Sequence, residues 1–458
     1  MTDVYLPGPR LPAAVQTAML VRDPVGWLER CERRYGPIFR VKLVGYPRYV
    51  YVADPAMARE VYAADRTAGR AGPARASFLE PLVGRHSLLC LEGDEWLRQR
   101  KLVGPTFHRR HVDGYAEEIA AIAAERIDRW PVGRTVELRP LFLDMTLEVI
   151  LHLVIGVTDG TRLAALRRAL PELIEAGSSL LLWAVPPRGW RRLDGSRLAR
   201  RVPHPLRRFL RLRDEVDALL YAEIAARRAA PDDERRDVLS MLIRARDDEG
   251  GAMSDAELRD ELVTLLVAGH ETTATALAWT FERLMRAPAA LRRLRDGEED
   301  YLDAVVKEAL RSRTVVLDTP RLLDAPVEVG GHRIPAGFYV APALQLVQRA
   351  RSAWSQPGEF RPERFLDGEG DGAREAWIPF GGGKRHCVGS HLALLEMREI
   401  VRAVVDRVEL EAVDAADEPV RMQHVTLVPG DLGRARVRAR TRPLSGAASG
   451  PVAADRAS

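Results

Sequence analysis

Between residues 255 and 287, Leu258, Leu262, Leu265, Leu266, Gly269, Leu277, Phe281 and Leu284 recur at spacings of three, four and their sums. That period puts the apolar positions on one face and predicts a single long helix buried along it. The stretch "SDAE" opens it, with Ser254 as a cap and Glu257 reaching back from three residues on, and Pro288 follows the end. The same period predicts helices over 113–130, 141–156, 205–229, 299–312 and 390–407. Strand patterns are fewer and shorter. Alternation around a Gly-containing turn in "FRVKLVGYPRYVYVAD" (39–54) predicts a hairpin, and "VEVGGHRIPAGFYVA" (327–341) a second one with Gly-Gly at its turn. The expected fold class is mainly α with small β-sheets.

Composition narrows the class. With 46% hydrophobic and 29% charged residues in 458, the chain reads as a soluble globular protein with a large core. Its net charge of +4 comes from scattered residues and does not argue for nucleic acid. Cys31, Cys90 and Cys387 form no C-x-x-C pair, so neither a disulfide framework nor a cysteine zinc site is suggested, and a reducing cytoplasm fits. The N-terminal "MTDVYLPGPRLPAAVQ" has neither a signal-peptide pattern nor an apolar run able to span a bilayer. No linker or repeat divides the chain, which predicts one domain over 1–442 and a small, polar, disordered tail over 443–458.

Two stretches carry candidate chemistry. In "AGHETTATAL" (268–277), His270-Glu271 begins like the H-E-x-x-H zinc motif, but the second histidine is replaced by Ala274. In "WIPFGGGKRHCVGSHLALLEM" (377–397), three glycines allow a tight loop whose N–H groups can approach a ligand, and Cys387 stands just ahead of a helix. The helix dipole with Lys384, Arg385 and His386 favours a thiolate there. The Gly-Gly-Gly-Lys run lacks Walker spacing. An inert buried cysteine is the plainer alternative.

Phe380, Gly383, Arg385, Cys387 and Gly389 fit F-x-x-G-x-R-x-C-x-G, and on that ground the chain resembles the cytochrome P450 superfamily of haem-thiolate monooxygenases from near its start to about residue 440. Other segments resemble the family in the same order. Glu308 and Arg311 in "KEALR" look like the E-x-x-R helix, with Arg364 in "FRPERFL" as the third member of a buried structural network. Trp96 and Arg100 in "DEWLRQRKL" resemble the W-x-x-x-R segment that reaches a haem propionate, and Arg321 and Arg385 match two further propionate-binding arginines. "AGHETT" fits A/G-G-x-D/E-T-T as Ala268, Gly269, Glu271, Thr272 and Thr273.

The resemblance implies a cytochrome P450 fold in which the long central helix crosses a haem b (iron protoporphyrin IX) held by the Cys loop. It implies Cys387 as the iron ligand, with thiolate donation favouring O–O cleavage. Gly269 would leave room beside the ring. Thr272 would bond its own i−4 carbonyl and sit over the iron. Glu271, its pKa biased upward by burial, would relay protons. His270 is expected to be satisfied and to face away. The implied reaction inserts one atom of O2 into an apolar small molecule of terpenoid, fatty acid, steroid or polyketide type.

No G-x-G-x-x-G opens a strand–helix unit, so the expected electron donor is a separate ferredoxin or flavodoxin with its reductase, met by Arg98, Lys101, Arg109, Arg110 and Lys384. A monomer is expected. The pocket is expected to draw on residues 66–92, 170–200, Val267, Ala268, 315–319 and 424–428, with Leu79, Leu82, Leu180, Leu181, Trp183, Val315 and Val316 among its apolar members. Two departures stand out: "RSRTVV" lacks the proline often found after the E-x-x-R helix, and "QRA" (348–350) replaces a commoner His-Arg-Asp. The competing readings are peroxide-driven oxidation by the same haem, a non-catalytic haem-binding sensor, and a zinc hydrolase, which Ala274 disfavours.

Overall fold

The computed structural model describes residues 6–156, 159–177, 204–232, 234–366, 371–423 and 425–441. The central helix runs Asp255–Met285 and opens on a capping box, Ser254 Oγ accepting the Glu257 N–H at 3.2 Å while Glu257 Oε2 accepts the Ser254 N–H at 2.7 Å. Its periodicity predicts one buried face, but the helix is buried nearly all round. The helices Leu138–Ile150, His204–Ala229, Glu299–Ser312 and Ser390–Arg407 all pack against it, as does strand β11 (Thr426–Pro429). Polar residues that a surface helix would show to water, among them Glu261, Thr264, His270, Glu271 and Glu282, are therefore enclosed and must find partners inside.

The other expected helices are present with small boundary shifts. The one expected over 113–130 begins as a 3₁₀ turn, Asp113–Tyr115, before Ala116–Ile127. The one over 141–156 starts at Leu138, ends in a π turn Leu151–Ile155 and stops at Gly156 with φ +58°. Shorter helices such as Ala71–Val83, rich in small residues and carrying Pro81, show too little periodicity to be read from sequence.

The first hairpin pairs β1 (Ile38–Leu43) with β2 (Tyr46–Val52). They belong to a five-stranded sheet of order β1-β2-β8-β5-β3, completed by β3 (Gly69–Arg70), β5 (Arg321–Leu323) and β8 (Tyr339–Pro342). The second hairpin, β6 (Val327–Val329) with β7 (His332–Ile334), turns on Gly330 and Gly331 at φ +57° and +74°. Tyr339–Ala341 does not continue that hairpin. It leaves to run parallel to β2, because its hydrogen-bonding partners lie in the larger sheet.

A buried network ties the helix Glu299–Ser312 to the Cys loop. Glu308 holds Arg311 through two bonds of 2.6 and 2.8 Å, and accepts from Arg364 Nε at 3.3 Å and from the Arg361 N–H at 2.8 Å. All three side chains of the Glu-Arg-Arg set are fully buried, and both arginines lie against the Trp354 ring. The two departures are absorbed here. Gln348, where a histidine is commoner, donates to Leu310 O at 3.0 Å and accepts from Ile378 N of the Cys loop at 3.2 Å. In the proline-free segment the Thr314 N–H is used, donating to Gln345 Oε1 at 3.1 Å.

Candidate active site

The Cys loop is built by its glycines, for a reason other than ligand approach. Gly381 and Gly383 have φ of +69° and +66°, and a Cβ at Gly382 would stand 2.4 Å from the Tyr62 ring. A Cβ at Gly383 would meet Asp65 Oδ2 at 2.7 Å. Gly382 and Gly383 thus let the loop lie directly on Tyr62 and Asp65, while Gly381 supplies a left-handed turn. The Cys387 N–H donates to Phe380 O at 3.1 Å, and the helix Ser390–Arg407 begins three residues later.

Cys387 is surrounded by protein, yet its side chain remains accessible, which places it on the wall of an internal cleft. Burial pushes its thiol up, while the Gly389 N–H and the cations Arg100 and Arg75 pull it back. The cations that act on the sulfur are thus Arg100 and Arg75, rather than the sequence neighbours Lys384, Arg385 and His386. Lys384 and Arg385 stack on Trp96 instead, at 5.7 and 4.3 Å from its ring centre.

Halfway along the central helix the burial is interrupted. Ala268 is accessible and Val267, Gly269 and Thr272 partly so, with buried residues on either side. Thr272 Oγ1 donates to Ala268 O at 2.6 Å, the expected i−4 bond. Thr264 and Thr280 make the same bond, but both are fully enclosed. Accessibility, not the bond, sets Thr272 apart. The helix stays α-helical through it. The room made by Gly269 is taken by a neighbouring helix: a Cβ there would meet Ile150 Cδ1 at 2.8 Å.

His270 turns to the helix Leu138–Ile150, its Nε2 lying 2.9 Å from Leu143 O. Its Nδ1 has no partner among the described residues, so the histidine is only half satisfied. Burial lowers its pKa. Glu271 Oε1 accepts from Arg139 at 2.8 Å and from Thr426 Oγ1 at 3.3 Å, and Arg139 Nε also donates to Thr275 Oγ1 at 3.2 Å. A buried ion pair, rather than burial alone, is what Glu271 experiences.

Four arginines surround the cleft in two states. Arg321, set on β5, is clamped by Asp65 through both carboxylate oxygens, the longer bond being 3.1 Å. Arg385 pairs with Glu92 at 2.8 Å and donates to Leu88 O and Leu91 O at 3.2 and 2.7 Å. Arg100 and Arg75 make no hydrogen bond or ion pair among the described residues. Arg100 is within electrostatic reach of both Cys387 and Glu261, so it bridges the Cys loop and the central helix. Trp96 is buried and lies under Arg385.

The sequence profile of the cytochrome P450 family matches residues 6–432. The chain belongs to the cytochrome P450 family. It is 42% identical over 453 residues to the putative cytochrome P450 135B1 of Mycobacterium tuberculosis, covering 96% of this chain and 92% of that one. It is 36% identical over 436 residues to the putative cytochrome P450 135A1 of the same species, covering 94% of each. Among solved structures it superposes on the retinoic-acid-bound cyanobacterial CYP120A1 with a TM-score of 0.78 at 23% identity, over 95% of this chain and all (100%) of that one.

This P450 is a haem monooxygenase with a haem-thiolate iron cofactor. The residues present fit that group. An accessible sulfur beside a helix N-terminus, an accessible break in a buried helix, and two unpaired guanidiniums in one enclosed region suit a flat dicarboxylate macrocycle. Among the described residues no group of three His, Cys, Asp or Glu side chains is arranged to hold a metal ion, which leaves the zinc reading without a ligand set. Nor is any described helix long and apolar enough to cross a membrane.

Sequence reading missed Arg75, Arg139, Asp65 and Glu92. None lies in a recognisable motif, and each matters only through what folding brings beside it. Of the expected pocket residues, Leu79, Leu82, Val315 and Val316 are partly buried. Leu180, Leu181 and Trp183 lie outside the described residues, as does the tail from 442 onward.

Proposed function

We propose that Cys387 ligates the haem iron as thiolate and that the P450 inserts one oxygen atom from O2 into an apolar small molecule in the cleft below Ala268–Thr272. Bound haem supplies the activation of dioxygen and the oxidising power. The observation that carries the reading is the accessible Ala268–Thr272 stretch within an otherwise buried helix. The hydroxyl of Thr272 is held on a backbone carbonyl of its own helix, and a rotation about one bond turns its proton into the cleft. Glu271 is adjacent in sequence and paired with Arg139, so delivering a proton through it requires that pair to open. Meanwhile the Gly389 N–H, Arg100 and Arg75 stabilise the sulfur in its anionic form.

Partly buried Val267, Leu79, Leu82, Val315 and Val316 support an apolar substrate of terpenoid, fatty acid, steroid or polyketide type. Electrons come from a separate ferredoxin or flavodoxin. Of the basic residues expected to meet it, Arg98 is already balanced by Asp247 and Glu257, and Lys101 by Asp248. Exposed Arg109, Arg110 and Lys384 carry more of that role, Arg109 through only a 3.5 Å contact to Asp113. The test is spectral and catalytic. Reduced protein under carbon monoxide should show the red-shifted band of sulfur-ligated haem, Cys387→Ser should lose it, and a surrogate ferredoxin system should yield hydroxylated product from an apolar compound that shifts the Soret band. Retention of that band by the serine variant would reject Cys387.

A further inference from the structure

Beyond the helix Glu299–Ser312 the chain runs from strand β11 toward the Cys loop with its backbone held on both sides. The Leu427 N–H donates to Val315 O at 2.7 Å and the Leu344 N–H to Leu317 O at 3.1 Å, while Val316 bridges to Thr426 and Asp318 to Ala343. At the far end Thr319 Oγ1 lies 3.0 Å from the Tyr62 hydroxyl, and a Cβ on Gly381 would stand 3.6 Å from the Thr319 methyl group. Leu317 and Arg321 are buried, whereas Asp318, Thr319 and Pro320 between them stay partly accessible. Arg75, one of the cations that act on the Cys387 sulfur, also acts on Asp318, which puts that carboxylate in the region of the cleft. A carboxylate therefore stands in a stretch that otherwise presents Val315 and Val316.

Asp318 is only half used by the fold. The Tyr49 and Tyr51 hydroxyls both donate to Oδ2, at 2.9 and 2.8 Å, and Oδ1 accepts from no described group. Both tyrosines are buried on β2 with their ring centres 4.9 Å apart, so the carboxylate is fixed in place from the sheet side. Glu396 also has an oxygen without a partner, but it is sealed in the core, whereas Asp318 is partly accessible. An ionised carboxylate can accept at both oxygens, which leaves room for a donor brought by a ligand. Burial pushes the Asp318 pKa up, and the two hydroxyls and Arg75 pull it back. The same surroundings select the donor. A substrate ammonium would meet the charge of Arg75, and an ionised fatty acid would meet Asp318 itself and bring no proton. A hydroxyl group brings a donor without a charge.

We infer, building on the monooxygenase reading above, that Asp318 Oδ1 accepts a hydrogen bond from a hydroxyl group of the substrate. The preferred substrates are then apolar skeletons that already carry an alcohol, such as terpenols, sterols or hydroxylated polyketides, rather than bare hydrocarbons or free fatty acids. Asp318 determines specificity by fixing the alcohol end of the molecule, and it takes no part in oxygen insertion.

The experiment titrates haem-loaded wild type, Asp318→Asn and Asp318→Leu with geraniol, 1-dodecanol and cholesterol, each beside its own methyl ether, and follows the Soret shift. In wild type at least one alcohol should bind roughly ten- to a hundredfold tighter than its ether, the size of one charge-assisted hydrogen bond. Asp318→Asn, which keeps an acceptor for the tyrosines, should cut that preference to a few-fold, and Asp318→Leu should abolish it. The alcohol-to-ether ratio is taken within each protein, so a variant that merely loosens the cleft weakens both ligands and leaves the ratio unchanged. A preference that survives both substitutions would overturn the inference. So would a wild type that binds no alcohol better than its ether, a result that leaves haem binding and oxygen insertion untouched. A wild type without the red-shifted carbon monoxide band would instead reject the haem reading itself.

Discussion

Glu271 Oε1 lies 2.8 Å from the Arg139 guanidinium, joining the middle of the central helix to the helix Leu138–Ile150 inside the protein. Both side chains are almost fully buried, so neither charge can be stripped of its partner cheaply. The arrangement also means that the acidic residue beside Thr272 is held away from the cleft by a specific bond.

Replacing Arg139 with Met should therefore destabilise the protein by about 3 to 5 kcal/mol, the cost of an uncompensated buried carboxylate. Adding Glu271→Leu to that variant should restore much of the loss. Urea unfolding of the two single variants and the double variant gives the coupling, and simple additivity would show that the pair is not energetically linked.

Thr272→Ala should behave differently. Its hydroxyl is bonded only within its own helix and faces accessible space, so unfolding free energy should change by no more than about 1 kcal/mol. Reductant consumption should continue while product falls and hydrogen peroxide rises. Thr264→Ala is the contrast: that threonine is buried and also reaches Ser87 Oγ at 2.6 Å, so its loss should lower stability more.

Glu261 gives a pH dependence. Burial pushes its carboxyl from 4.5 up to about 7, although it accepts the Leu88 N–H at 3.1 Å. The folded protein thus holds this proton more tightly than the unfolded chain does. Its contribution to stability is greatest below about pH 4.5, declines as pH rises toward about 7, and is constant above that. Glu261→Gln keeps an acceptor for Leu88 without the charge. Relative to wild type the variant should gain stability between pH 5 and pH 8, by up to about 3 kcal/mol. Urea midpoints at the two pH values, showing a constant difference, would exclude the effect.

Glu308→Ala should be among the most damaging single changes. It leaves Arg311 and Arg364 buried without their carboxylate and frees the Arg361 N–H, at a cost of about 3 to 5 kcal/mol. Because the same region anchors Ile378 and Trp377 of the Cys loop, haem retention should fall along with stability, read as Soret absorbance per folded protein.

Sequence alone determined the elements whose cause is local or whose chemistry is concentrated in a few adjacent residues. The capping box, the helical period of 255–287, the two glycine-turned hairpins and the Cys loop could all be read, because cap, period, turn and motif each act within about one to a few turns of chain. The same was true of the Glu308–Arg311 pair, three residues apart on one helix. Charge pairing across the fold was not legible. Whether Arg321 or Arg385 is open or closed depends on Asp65, 256 residues away from Arg321, and on Glu92, brought beside Arg385 by folding. Gly269 and Gly382 could be seen to be small, but only the packed structure decides that the space goes to Ile150 and Tyr62. A side chain's ionisation and reach are set by its neighbours in space, and those neighbours are chosen by tertiary packing, not by the order of residues along the chain.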